Sequence, residues 1–158
     1  MTPWDKDRLV KKLKQDHKID PSQMHYVIST HGHSDHVGNN NLFLDATAHI
    51  VGQSANKADE YDLTAFENGT YTINEYVKVV ATPGHTLDSV SVEVQVSDGL
   101  YIIAGDLFEK YEDLKDESIW LEAGSEDPEK QRHHRNQALS RADFIIPGHG
   151  PMFSTHQK

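Results

Sequence analysis

Three histidines and an aspartate fall within six residues, His31-Gly32-His33-Ser34-Asp35-His36. Imidazole nitrogens and a carboxylate at that density make a donor set suited to Zn²⁺, with Fe or Mn as the alternatives. On an extended turn His31 and His33 alternate and can point to one ion, while Asp35 and His36 turn toward a neighbouring position. Three more ligand-type residues each follow an apolar run: His85 after Val80-Ala81-Thr82-Pro83-Gly84, Asp106 after Ile103-Ala104-Gly105, and His149 after Ile146-Pro147-Gly148. Loops at strand ends are where layered α/β folds put their chemistry. The bland alternative is an exposed histidine-rich turn that scavenges metal.

The elements that must position these residues are legible from spacing. Thr2-Pro3-Trp4-Asp5 predicts a capped helix start, with Leu9, Val10 and Leu13 as its apolar stripe and Asp20-Pro21 as its end. Tyr26-Val27-Ile28, His49-Ile50-Val51 and Tyr76 to Ala81 predict strands. Val90, Val92, Val94 and Val96 alternate with polar residues, the pattern of a half-buried strand, and Asp98-Gly99 turns it into a partner at Leu100 to Ala104. Asp127-Pro128 opens a helix through about Leu139, and Phe144-Ile145-Ile146 is a last strand. Strands interleaved with helices mean a layered α/β or α+β domain.

Composition narrows the function classes. The 158 residues suit one domain, 36% are hydrophobic, and 11 are histidine. There is no cysteine, which removes disulfides, thiolate nucleophiles and sulfur-based zinc sites. A net charge of −10 disfavours a phosphate-backbone partner held by surface charge alone. No apolar run suits a membrane span and no signal-peptide pattern opens the chain, so a cytoplasmic or nuclear location is expected, without export or membrane partners.

The order HxHxDH, Pro-Gly-His, Gly-Asp and Pro-Gly-His-Gly, spread over Tyr26 to Pro151, resembles the metallo-β-lactamase superfamily. The strings at residues 30–39, 41–43, 104–109, 118–120 and 125–128 are similar to the metallo-β-lactamase domain-containing protein 1 family. This resemblance implies an αβ/βα sandwich and two zinc ions. His31, His33 and His85 would hold the first ion, Asp35, His36 and His149 the second, and Asp106 would bridge them. It also implies hydrolysis by a metal-activated water, with Asp35 or Asp106 as the orienting carboxylate. The narrower likeness implies an endoribonuclease acting on histone pre-mRNA 3′ ends. A glyoxalase II-like thioester or ester hydrolase of small molecules is the alternative, and an inactive shortened form is a third. Family members begin with several strands before the helix that opens this sequence. A single domain over 1–158 with part of the first sheet missing is therefore expected, with uncovered apolar faces, poor catalysis and association into a homodimer or aggregates.

Other residues receive plainer expectations. The runs Glu109 to Glu117 and Glu129 to Arg135, the second including His133 and His134, predict a solvated loop and a solvated helix face. His17, His25, His49 and His156 fit no ligand position and are expected at the surface or in caps. Trp4 and Trp120 are expected in core or rim packing rather than as base-stacking platforms. Ser34 and Thr86 are expected to orient the neighbouring ligands.

Overall fold

A computed structural model describes residues 2–156. The chain divides into two compact units, residues 1–65 and 66–158, each with its own sheet.

The first unit opens with the expected cap. The Asp5 carboxylate accepts from both the Thr2 N–H and its hydroxyl, each at 3.0 Å, over a short 3₁₀ turn at Pro3–Asp5. Helix α1 (Lys6–Asp16) follows, and its Leu9 and Leu13 pack with Met24 and Leu42 on Val27, Phe43 and Ala46. It stops four residues before the expected end. Lys18 takes a left-handed backbone (φ 58°) and the Ile19 N–H returns to the Leu13 carbonyl at 3.0 Å. Trp4 is 90% exposed and so joins neither core nor rim, because the cap leaves the 3₁₀ turn facing water.

Strand β1 (Tyr26–Ser29) pairs in parallel with β2 (Ala48–Val51), which requires a crossover between them. That crossover carries the histidine cluster and a single-turn helix, α2 (Ser34–Val37). Strands β3 (Ser54–Lys57) and β4 (Glu60–Asp62) extend the sheet as antiparallel hairpins, giving the order β1-β2-β3-β4. Their polar sequences carry no strand pattern; the tight turn at Gly52 (φ 53°) brings β3 back on β2.

The second unit holds β5 (Thr70–Thr72), β6 (Val77–Ala81), β7 (Val90–Val96), β8 (Gly99–Gly105), β9 (Phe144–Pro147) and β10 (Phe153–Ser154), in the order β10-β9-β8-β7-β6-β5. Pairs β6–β7 and β7–β8 are antiparallel and β8–β9 is parallel, so β6, β8 and β9 run in one direction. Their C-terminal ends therefore face one edge of the sheet, and those ends carry His85, Asp106 and His149. Helices α3 (Ser118–Ala123) and α4 (Pro128–Arg141) fill the β8-to-β9 crossover. The core joins Ile102, Ala104, Leu107 and Phe108 to Ala138, Ala142, Ile145 and Phe153. Strand β7 departs from strict alternation: Val90, Ser91 and Val92 are all buried, whereas Val96 is exposed. Val94, Val96, Tyr101, Ile103 and Ile146 line an apolar surface there.

Both charged runs expected to be solvated are in part buried. Residues 109–117 contain a 3₁₀ turn, Tyr111–Leu114, and Asp113 and Glu109 are only 1% and 7% exposed. Arg135 and Gln131 on α4 are buried as well. Arg135 donates to Asp113 at 2.7 Å, and its guanidinium lies over the rings of Phe108 and Trp120 at 4.3 and 5.1 Å. Partners 22 residues apart in sequence make this burial tolerable.

Candidate metal centre

In the first unit, β1 delivers Thr30 and His31 directly into the crossover. His31 is fully buried, and its Nε2 lies 2.8 Å from Nδ1 of His33, with the rings edge to face. Tetrahedral Zn–N bonds set ligand nitrogens roughly 3.3 Å apart, so a few tenths of an ångström separate this pair from a shared ion. His33 occupies the cap position of α2, and that single turn swings Asp35 and His36 back, with His36 Nε2 3.6 Å from Asp35 Oδ2. The ring of His36 lies 4.1 Å from that of His31, and the Thr30 hydroxyl sits between their Nδ1 atoms at 3.2 and 3.3 Å. Thr30 thus holds the orienting position that sequence reasoning gave to Ser34 and Thr86. Ser34 is exposed, and the Thr86 hydroxyl is engaged with Asp88 and Ser89 at 2.6 and 2.7 Å. Gly38 closes the loop: a Cβ there would meet Pro3 Cδ at 2.5 Å.

In the second unit, His85 donates from Nδ1 to the Gly124 carbonyl at 2.7 Å. A carbonyl can only accept, so Nδ1 carries a proton, and Nε2 is the nitrogen left to a metal. That Nε2 lies 3.5 Å from Asp106 Oδ2, and His149 Nε2 lies 3.4 Å from the same oxygen. His85 and Asp106 are buried and His149 is half exposed. The donor atoms therefore fit cation ligation: two imidazoles address one oxygen of a buried carboxylate.

Glycines make these approaches possible. A Cβ on Gly148 would stand 2.0 Å from Asp106 Oδ1, and one on Gly84 would stand 2.4 Å from Cα of Gln131. The Pro-Gly-His strings at 83–85 and 147–149 are thus packing requirements of the site. Sequence reasoning missed Glu109. Its side chain is 10% exposed, with the carboxylate 3.9 Å from His149 Nε2, and donor atoms of Asp106, Glu109 and His149 all lie within 4.8 Å of one another. Its place three residues after Asp106 was the available signal, hidden by the charged run that follows. His133 and Trp120 take no part in this cluster; Trp120 is core, as expected. His49 and His156 bond the Phe43 carbonyl and Asp143, consistent with non-ligand roles.

The profile of the metallo-β-lactamase superfamily matches residues 2–149. Metallo-beta-lactamase domain-containing protein 1 of Xenopus laevis is 41% identical over 165 residues, covering 96% of this chain and 64% of that protein. The human protein of the same name is 34% identical, covering 96% of this chain and 56% of its own length. The chain thus spans less than two-thirds of the length of these curated relatives. A solved dizinc quorum-quenching lactonase in complex with a product, N-hexanoyl-L-homoserine, shares the fold at a TM-score of 0.65 and 16% identity, over 90% of this chain and 63% of its own. Two sheets with few helices, ligand-type residues at the strand ends and this profile agree: the chain belongs to the metallo-β-lactamase superfamily of metal-dependent hydrolases.

Proposed function

We propose that the chain holds two divalent ions, zinc on the chemistry of its donors, and hydrolyses RNA phosphodiesters in the manner of histone pre-mRNA 3′-end processing. His31, His33 and His85 hold the first ion, Asp35, His36 and His149 the second, and Asp106 is shared. The observation that carries the two-ion reading is the single Asp106 oxygen addressed by both His85 and His149. When bound, two adjacent cations act as Lewis acids and bring the pKa of a shared water toward neutrality.

The chain's own residues supply the remainder. The Asp106 carboxylate offsets repulsion between neighbouring cations, and its burial strengthens that effect. The Gly124 carbonyl fixes the His85 tautomer, and Thr30 orients His31 and His36. Asp35, with a third of its side chain exposed, is the carboxylate that substrate and water can reach, and it orients the attack. The RNA substrate rests on likeness to the metallo-β-lactamase domain-containing protein 1 family. The net charge of −10 favours a second reading, a small-molecule ester or thioester as in glyoxalase II.

Elemental analysis of protein purified without added metal tests the first part; two ions per chain are expected, and a trace in a folded sample refutes it. Asp106→Asn keeps the shape and loses the charge, so it should shed at least one ion and its hydrolytic activity. Full activity in that variant would exclude a shared role. RNA affinity that falls with salt supports the nucleic-acid substrate, whereas thioester turnover with a salt-independent KM supports the second reading.

A further inference from the structure

We propose that Gln131 and Arg135, one turn apart on α4, are positioning residues that hold Asp106 and His149 in register through the backbone between them. This rests on the metal-binding reading above. Gln131 donates from Nε2 to the Asp106 carbonyl at 3.0 Å, and its backbone packs where a Cβ on Gly84 would otherwise stand, immediately before His85. Arg135 donates from Nη1 to the Leu107 carbonyl at 2.7 Å and clamps Asp113 with both terminal nitrogens. Asp113 Oδ2 in turn accepts the Glu109 N–H at 2.7 Å. The backbone of 105–109 is then passed on to the last ligand loop. The Gly148 N–H reaches the carbonyls of Gly105 and Phe108 at 3.0 and 2.9 Å, and the His149 N–H reaches that of Glu109 at 2.9 Å. One face of α4 thus holds the Asp106 and Leu107 carbonyls directly and the Glu109 N–H through Asp113, and backbone bonds carry that register on to Gly148 and His149.

Stability alone does not explain these residues. A buried ion pair is often matched or bettered by apolar side chains of similar volume. Gln131 Oε1 is buried with no hydrogen-bond partner among the described residues, so the amide is kept at a desolvation cost. What an apolar substitute cannot do is aim N–H groups at the carbonyls of Asp106 and Leu107. Groups that orient ligands in this way typically govern metal affinity by about 10- to 100-fold.

The test uses the whole chain with zinc, measuring affinity by chelator competition and ligand geometry by the absorption of the Co²⁺-substituted protein. Metal-free stability is read by urea unfolding. Gln131→Met unpairs the buried Asp106 carbonyl but also removes the unpaired Oε1, so it should lower the metal-free urea midpoint only modestly, weaken zinc about 10-fold and alter the cobalt spectrum. The paired change Arg135→Met with Asp113→Leu should do the same more strongly; if that pair does not fold, Gln131→Met decides. Ile145→Val, a core change on β9, should lower the midpoint and leave zinc affinity and the cobalt spectrum as in the wild type. Wild-type zinc affinity and cobalt spectrum in Gln131→Met would overturn the positioning role while the metal reading stands. A wild-type chain that takes up no zinc would overturn both.

Discussion

Gly148→Ala places one methyl group where the structure has least room. The added carbon would stand 2.0 Å from Asp106 Oδ1 and 3.1 Å from Asp106 Cγ and the Gly105 carbonyl carbon. Ordinary contact begins near 3.4 Å, so roughly 1.4 Å must be found. Neither backbone yields readily: Gly148 N–H is bound to two carbonyls and the Asp106 carbonyl accepts from Gln131. The Asp106 carboxylate is the piece that swings, drawing Oδ2 away from His85 and His149. Overpacking of this kind costs about 1–3 kcal/mol of stability, while misplacing a reacting group by about 1 Å costs about 100-fold in rate. Urea unfolding of the metal-free protein, zinc content and hydrolytic rate should be measured together. A modest loss of stability with a large loss of metal and rate is expected. Gly32→Ala, at a position where a Cβ would meet nothing within 4 Å, should leave stability within about 0.5 kcal/mol. If Gly148→Ala retained metal content and rate, the close approach to Asp106 would not be a constraint on the site.

Phe108→Ala removes a fully buried ring from the core beneath the Asp106 turn and should cost about 3–5 kcal/mol in urea unfolding; a loss under about 1 kcal/mol would contradict its packing. Asp20 is held down from 3.8 to about 2, first by its hydrogen bond with Lys14 and then by the Ser22 N–H and hydroxyl. Because the folded pKa is the lower one, this contribution is complete above about pH 4 and is lost as pH falls toward 2. Asp20→Asn should therefore flatten the acid limb of stability over that window, as read by urea midpoints against pH; an unchanged acid limb would show that the Lys14 contact is spent in solvent.

The candidate ligand residues and their order were legible in the sequence because donor spacing within a turn is a local property. His31 to His36 come from one loop, and His85, Asp106 and His149 each follow an apolar run whose strand character is visible in its own residues. The long strands and both main helices were readable for the same reason: period and caps are written within ten residues. Tertiary structure alone decided the rest. Strands β3, β4 and β5 are short and mostly polar, β10 is only the two residues Phe153–Ser154, and all four exist because a neighbour pairs with them. Glu109, Asp113, Gln131 and Arg135 lie in charge-rich runs that read as solvated, since burial of a polar or charged group depends on a partner that spacing does not reveal. Arg135 finds Asp113 from 22 positions away, and Gln131 finds the Asp106 carbonyl from 25. Charge prefers water unless such partners are in place, so only the fold could put these residues inside.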